Sequence, residues 1–174
     1  MIYTGIGSRS TPTTILATMT KIATYMTDRK HTLRSGKAGG ADSAFQQGVQ
    51  IANCNNASAE IYIPWPGFTS PDMLATWDYV GGSNPDAAII AESIHPAWNR
   101  CSQGARKLHT RNVMQILGAD LNTPSDFVLF YAPVRNRIVQ GGTGTAVKLA
   151  QKHNIPCINM LYPTWRDELL NLIR

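Results

Sequence analysis

The stretch Ser35–Asp42, SGKAGGAD, carries three glycines between a short strand-like segment, Thr32–Ser35, and a segment with small and apolar residues at helical spacing, Ala41–Ala52. A strand, a glycine-rich turn and a helix in this order are typical of a parallel α/β unit. The first N–H groups of such a helix are unpaired and carry a partial positive charge, and glycine lets an anion approach closely. The stretch therefore predicts a phosphate site at the end of a strand.

The same pattern occurs twice more along the chain. Thr4–Arg9, TGIGSR, ends the apolar first segment, and Gln140–Thr145, QGGTGT, precedes an apolar helical segment. Alternating strands and helices predict a parallel sheet with right-handed crossovers, so we expect an α/β fold: a single Rossmann-like, doubly wound domain over residues 1–174 with helices on both faces. Ligands in such sheets bind at the carboxyl ends of the strands. We therefore expect the three turns to meet in one crevice, although each glycine alone also fits an ordinary tight turn.

Each polar candidate near these turns has a functional and a structural interpretation. Arg9 and Arg111 can each pair with a phosphate, or be solvated surface charges. Asp42 can bind a ribose hydroxyl or act as a base, or it can stabilise the dipole of its helix. The threonine hydroxyls can bind phosphate or cap a helix. The predicted ligand-binding residues are Gly7, Ser8, Arg9, Ser35, Gly36, Lys37, Gly39, Gly40, Asp42, Arg111, Gly141, Gly142, Thr143, Gly144 and Thr145.

The composition is typical of a folded protein without a transmembrane helix. In a chain of 174 residues, 43% apolar content is enough for a packed core, and no run of 18 apolar residues is present. The chain begins in a strand-like stretch without a signal-like segment, so we expect a cytoplasmic protein with no membrane partner. The net charge of +5 fits an anionic ligand, from mononucleotides to single-stranded DNA.

The cysteines and histidines predict neither a disulfide framework nor a metal. Cys54, Cys101 and Cys157 are far apart and odd in number. His95 and His109 are not spaced as metal ligands with a nearby carboxylate or thiol. The sequence therefore predicts no metal site and no cofactor.

Three further segments complete the predicted layout. Residues 64–85, rich in proline, glycine and aromatic residues, are expected to form a loop-rich insertion. Residues 86–117 are expected to be largely helical with a break near His95, and residues 132–140 to form a polar loop.

Several of these motifs resemble one superfamily. Gly7-Ser8-Arg9 is similar to the GSR of DprA-like (Smf) proteins, and Ser35–Asp42 to their SGxARGID segment, with glycine in place of the arginine. Leu108–Asn112 resembles the MHxRK helix, and Gly141–Thr145 the PGGxGTxxE signature, of LOG (lysine decarboxylase-like) phosphoribohydrolases. The chain thus resembles the SLOG superfamily over roughly residues 1–159, outside the insertion. Compact single-domain members are often phage-encoded, so the resemblance also implies a phage origin, and it implies a homo-oligomer.

The chain departs from the LOG signature at one position that bears on catalysis. It implies that Arg111 is the arginine that LOG enzymes use with the signature glutamate to cleave an N-glycosidic bond, but that glutamate is Lys148 here. A lysine cannot stabilise a developing sugar cation as a carboxylate does. If the protein is catalytic, the candidate residues are Arg111 with Glu92 or Asp42 as the substitute carboxylate.

Three functions follow from these observations. The first is a SLOG-type domain that binds a nucleoside phosphate or another nucleotide-derived small molecule. The second is a nucleoside 5′-monophosphate N-glycosidase (phosphoribohydrolase), which would require one of the substitute carboxylates. The third is DprA-like binding of single-stranded DNA, which the positive charge favours.

Overall fold

Six parallel strands form the centre of the protein. The computed structural model describes residues 1–52, 59–68 and 78–174. Within the sheet the strand order is β4-β3-β2-β1-β5-β8. The strands are β1 (Ile2–Gly7), β2 (Thr32–Ser35), β3 (Ala59–Ile63), β4 (Asp78–Val80), β5 (Phe127–Tyr131) and β8 (Cys157–Asn159), and a separate antiparallel hairpin consists of β6 (Val134–Arg135) and β7 (Ile138–Val139).

Helices cover both faces of this sheet. Their bounds are α1 (Thr13–Asp28), α2 (Ala41–Ile51), α3 (Pro85–Ile94), α4 (Gln103–Leu117), α5 (Gly142–Lys152) and α6 (Trp165–Leu172). Buried residues of α1, α2 and α6 form one hydrophobic core with one face of the sheet, and those of α3, α4 and α5 form a second core with the other face. The predicted Rossmann-like, doubly wound α/β fold is confirmed.

The order of the strands creates a crevice beside β1. From β1 the chain builds the sheet in one direction through β2, β3 and β4, and it then returns to place β5 on the opposite side of β1. The connections after β1 and β5 therefore leave the sheet in opposite directions. A ligand site is expected at this reversal, at the carboxyl ends of β1 and β5.

Close packing between α1 and α2 fixes the position of the helix that follows the SGKAGGAD turn. A Cβ atom at Gly48 of α2 would lie 2.5 Å from the Cβ of Ala23, so only glycine fits this contact. The hydroxyls of Thr20 and Thr24 donate across the same contact to Ala44 O and Gly48 O, at 3.0 and 3.1 Å. These bonds hold α2, and with it Asp42, at the edge of the crevice.

Two predicted loops contain regular structure. Residues 64–85 include strand β4, and residues 69–77 of this predicted insertion lie outside the described part of the chain. The polar loop predicted at 132–140 is the β6–β7 hairpin. Its two central residues, Asn136 and Arg137, have φ angles of 50° and 63°, as a tight hairpin turn requires. The prediction was wrong here because Asn-Arg, unlike Asn-Gly, is not a recognisable signal for that turn.

In the part of the chain that the structure describes, no helix has the length and apolar character needed to span a bilayer.

Candidate functional site

A cavity of about 440 Å³ opens at the carboxyl end of β1, at the predicted crevice. Its walls are the loop after β1, the start of α2, one face of α4 and the turn before α5. The lining residues are Ile6, Gly7, Ser8, Arg9, Ala38, Asp42, Ala105, Leu108, His109, Arg111, Asn112, Gln115, Gln140, Gly141, Gly142 and Thr143. A volume of this size is in the range of small-molecule sites.

The N-terminus of α5 faces the cavity and has no side-chain cap. Its N-cap residue, Gly141, has a φ angle of 71°, which favours glycine. A Cβ atom at Gly141 would meet no other atom within 4 Å, and one at Gly142 would meet only Asn112 Nδ2, at 4.0 Å. The turn therefore leaves open space beside Gly141 and Gly142, through which an anion can approach the helix terminus.

The second glycine turn differs from this one, because it is packed. Gly40, the N-cap of α2, has a φ angle of 80°, and a Cβ atom there would lie 2.6 Å from Ser8 O. The N–H groups of Ala41 and Ser43 donate to Ser8 O and Ala38 O, at 3.4 and 3.1 Å. The first N–H groups of α2 are thus bonded to the protein rather than open to a ligand, and the start of α2 contributes the Asp42 carboxyl to the cavity wall.

Arg111 is a buried cation in the cavity wall. Only 4% of the residue is exposed, and its Nη1 donates to Gly36 O and to Tyr62 O, the latter at 3.2 Å. The same nitrogen lies 3.9 Å from Asp42 Oδ2. The pKa of Arg111 is lowered to about 10, mainly by burial. The charge of Asp42 opposes this decrease, and the charge of Arg9 adds to it. The guanidinium is therefore still charged at neutral pH, and it lies near enough to Arg9 for the two charges to interact.

Asp42 is the buried carboxyl of the site. Burial raises its pKa to about 6, and this effect is opposed by Arg111 and by the backbone N–H groups of Ala38, Gly7 and Gly36. Gly7 N–H donates to Asp42 Oδ1 at 3.3 Å. Asp42 thus joins β1, β2 and α4, and it can change its protonation state in mildly acidic solution.

Other predicted ligand-binding residues lie behind the cavity or beside it. Ser35 Oγ donates to Gly5 O at 2.7 Å, and Gly36 O accepts from Arg111. Lys37 is 1% exposed and is not among the residues that line the cavity. The cavity-lining residues include eight of the predicted ones but not Ser35, Gly36, Lys37, Gly39, Gly40, Gly144 and Thr145.

Neither Glu92 nor Lys148 lines the cavity. Glu92 is exposed on α3. Lys148 Nζ donates to Ile94 O at 3.1 Å and so binds a carbonyl at the end of α3. Among the described residues that line the cavity, Asp42 is the one with a carboxyl group.

The polar face of α4 is the part of the site that the sequence did not indicate. His109, Asn112 and Gln115 line the cavity although only Arg111 was predicted there. Residues 105, 108, 109, 112 and 115 repeat at helical spacing, which is the signal that could have found this face. Asn112 Nδ2 donates to Gly142 O at 3.2 Å and joins α4 to the glycine turn before α5.

The expectation that His95 and His109 have no thiol nearby is wrong. A 3-10 turn, Trp98–Arg100, folds the chain back between α3 and α4 and brings Cys101 to the two imidazoles. Ligand atoms of the three side chains all lie within 4.8 Å of one another. The pKa of His109 is lowered to about 4, mainly by its partial burial and also by the charges of His95 and Arg111. Of the other cysteines, Cys157 is a free thiol and Cys54 lies outside the described residues.

No protein-family model matches the sequence, and no curated protein sequence matches it. Among solved structures, the chain is similar to DNA processing protein A from Helicobacter pylori, at 14% identity and a TM-score of 0.47. The similarity covers 98% of this chain and 72% of that protein, whose structure was described for its single-stranded DNA binding mode. Identity and TM-score are both too low for this similarity to indicate a ligand for the present chain.

Proposed function

We propose that the protein binds a nucleoside phosphate in the cavity beside β1, without cleaving it. The observation that carries the proposal is the open, uncapped N-terminus of α5, which faces the same cavity as two guanidinium groups, Arg9 and Arg111. One helix terminus and two cations around one buried carboxyl favour an anionic ligand.

The phosphate is assigned to the turn Gly141–Thr143. Backbone N–H groups at the start of a helix bind a phosphate oxygen directly, and the open space in front of Gly141 and Gly142 admits it. Arg9 is exposed at the rim and can form a bidentate pair with the same phosphate. Ser8 lines the same wall and offers its hydroxyl as a further donor.

The nucleoside is assigned to the space between α4 and the end of β1. Ile6, Ala105 and Leu108 give this part of the cavity an apolar surface, and Asp42 can accept a hydrogen bond from a sugar hydroxyl. Two buried donors in the wall, Arg111 Nε and Gln115 Nε2, have no partner among the described residues. Because such donors are costly to leave unpaired, rotation of either side chain toward a bound ligand is favourable.

The positions of the carboxyl groups support binding without cleavage. Glu92 is on the outside of α3, and the position of the LOG glutamate is a lysine bound to Ile94 O. Asp42 is held by Arg111 and by backbone N–H groups, which leaves it a binding role.

The test is calorimetry with a panel of nucleoside mono-, di- and triphosphates, followed by chromatography of each mixture. We expect at least one nucleotide to bind and to be recovered intact. Release of free base would instead make the protein a glycosidase, with Asp42→Asn as the variant that should stop the reaction. If no member of the panel bound, the proposed function would be wrong.

A second candidate function is binding of single-stranded DNA, and the β6–β7 hairpin favours it. Arg135 and Arg137 are exposed on this hairpin, which leads directly into the Gly141 turn. A nucleotide unit in the cavity and neighbouring phosphates on the hairpin would together follow a strand.

Fluorescence anisotropy of a labelled oligonucleotide tests this candidate. The double variant Arg135→Gln, Arg137→Gln should weaken binding and lower the slope of log affinity against log salt by about 1.4, since each phosphate contact on a single strand contributes about 0.7. The matched control is the double variant Lys21→Gln, Arg29→Gln, which changes two exposed cations on α1 and at its C-cap. Equal slopes in all three proteins would count against the hairpin as a DNA contact.

A further inference from the structure

Three metal-binding side chains meet at the corner between α3 and α4. His95 directly follows α3, Cys101 precedes the N-cap residue of α4, and His109 lies in the second turn of α4. All three are half-buried, and their ligand atoms lie within 4.8 Å of one another. Two backbone hydrogen bonds stabilise the turn at this corner: Arg100 N–H and Cys101 N–H donate to Ala97 O and Trp98 O, each at 3.0 Å.

The separation of Cys101 and His95 fits a tetrahedral transition-metal ion, to which one nitrogen of His95 would bind. Cys101 Sγ lies 3.7 Å from each ring nitrogen of His95. Two ligand atoms on tetrahedral zinc, with a Zn–S bond of about 2.3 Å and a Zn–N bond of about 2.0–2.1 Å, lie about 3.6 Å apart. Sulfur and imidazole donors are also the ligands that zinc prefers over magnesium or calcium.

Without a metal, the hydrogen bonding of these groups is incomplete. His109 Nδ1 is buried and has no partner among the described residues, although the ring lies 4.4 Å from that of His95. The Cys101 thiol has a long contact of 3.6 Å with Ala97 O. His95 Nδ1 accepts a hydrogen bond from Ala97 N–H at 3.1 Å, which ligation through that nitrogen would replace.

We propose that His95, Cys101 and His109 form a site for a divalent transition-metal ion of the zinc class. Three protein ligands leave the fourth position of a tetrahedral ion for water or for an atom of a ligand. Since His109 also lines the cavity, the metal would lie beside the proposed nucleotide. A metal-bound Cys101 is a thiolate and supplies the negative charge of the donor set, so its loss should reduce affinity most.

Cobalt(II) is the probe that tests this site in the whole chain. After treatment with a chelator, the protein is titrated with Co²⁺ and its absorption spectrum is recorded. We expect one equivalent to give a thiolate-to-cobalt charge-transfer band with the intense visible bands of four-coordinate cobalt, and zinc to displace it. Absence of these bands in the wild-type protein would overturn the proposal.

Variants then locate the bound ion. Cys101→Ser should abolish the charge-transfer band, and His95→Gln should weaken cobalt binding. The matched control is Cys157→Ser, because Cys157 is a partly buried thiol whose Sγ contacts Ile155 O at 3.3 Å. A charge-transfer band that survives in Cys101→Ser, or that disappears in Cys157→Ser, would place the metal elsewhere and contradict the assignment. The result is independent of nucleotide binding, because it is read from cobalt absorption alone.

Discussion

At the scale of single residues, Gly36 decides where Arg111 lies. Gly36 O accepts a hydrogen bond from Arg111 Nη1, and a Cβ atom at Gly36 would collide with that nitrogen. Glycine is therefore required here by close approach and not by its φ angle. This contact explains why a residue outside the cavity is still needed for the site.

The first prediction concerns Gly36→Ala. The added methyl group should displace the guanidinium from Gly36 O and Tyr62 O, and overpacking together with a disturbed buried ion pair should cost about 3 kcal/mol in the free energy of unfolding. Urea unfolding measures this loss. Gly104→Ala is the control, since a Cβ atom at Gly104 meets no atom within 4 Å and alanine favours the helix. Equal stability of both variants would contradict the assigned position of Arg111.

The second prediction concerns the pH dependence that Asp42 produces. The pKa of Asp42 is about 6 in the folded protein, above the ordinary value of 3.8. The folded state therefore keeps a proton that the unfolded state has lost between about pH 4 and 6, so the Asp42 contribution to stability decreases as pH rises through this range. Because asparagine does not titrate, the Tm of Asp42→Asn relative to wild type should rise from pH 4 to 6.

Thermal melts at several pH values provide the measurement for Asp42. Asp120→Asn is the control. Asp120 is exposed, and hydrogen bonds, above all the one from the Thr123 side chain, lower its pKa. The Tm of Asp120→Asn relative to wild type should therefore be constant over this pH range. A relative Tm of Asp42→Asn that falls with pH would mean that Arg111 and the backbone N–H groups outweigh burial.

Residue roles were only partly predictable from the sequence. Glycine turns have a local signal, so Gly7, Gly141 and Gly142 were found among the lining residues. Lys37 was predicted to bind the ligand as a member of the second glycine turn, and its burial behind the cavity depends on tertiary packing that the turn motif does not encode. The meeting of His95, Cys101 and His109 depends on a 3-10 turn that reverses the chain, and residue spacing does not encode that reversal.

At the scale of elements, a substitution at the start of α5 tests whether a phosphate binds there. Gly142 is a helical residue whose Cβ atom would point into open space near Asn112. An alanine there should leave the helix intact and place a methyl group where the phosphate is proposed to bind. The variant thus separates a phosphate site from ordinary turn geometry.

The third prediction is that Gly142→Ala keeps the wild-type Tm and weakens nucleotide binding about tenfold or more, a loss of about 1.4 kcal/mol or greater. Calorimetry with the best-binding nucleotide of the panel measures the change. Gly104→Ala should bind normally. An unchanged Kd in Gly142→Ala would remove the phosphate from this turn.

Helices and strands were easier to predict from the sequence than the short motifs at their ends. Regular strands and helices were predictable because their periodicity repeats over several turns or residue pairs. The spacing of Thr164 and Asp167 at the start of α6 is typical of a capping box, but Thr164 makes no side-chain cap and its Oγ1 donates to Glu168 Oε1 at 2.6 Å. Short motifs of this kind depend on one side-chain rotamer, which the sequence does not fix.

At the scale of the whole molecule, the order of the strands makes the site. The end of the sheet at which the cavity opens was predictable from alternating strands and helices, whereas the strand order that places the reversal between β1 and β5 was not. Which residues of α4 face that cavity depends on how the helix packs against β3, β2 and α5. That rotation is a tertiary property, so the polar face of α4 required the structure.

The distribution of positive charge over the molecule distinguishes the two candidate functions. The net charge of +5 is spread along the chain, whereas Arg9, Arg135 and Arg137 are exposed on the loop and the hairpin that lead into the cavity lining. A free nucleotide requires the cavity alone, and a DNA strand requires the hairpin as well. The salt dependence described above therefore distinguishes a small-molecule site from a strand-binding surface.

The most direct test of the central claim is a titration of the ¹⁵N-labelled protein with nucleoside 5′-monophosphates, monitored by amide chemical shifts. We predict that the largest changes occur at Ser8, Arg9 and Gly141–Thr143, at the end of β1 and the start of α5. Changes confined to other parts of the chain, or no changes at saturating nucleotide, would contradict the proposed site.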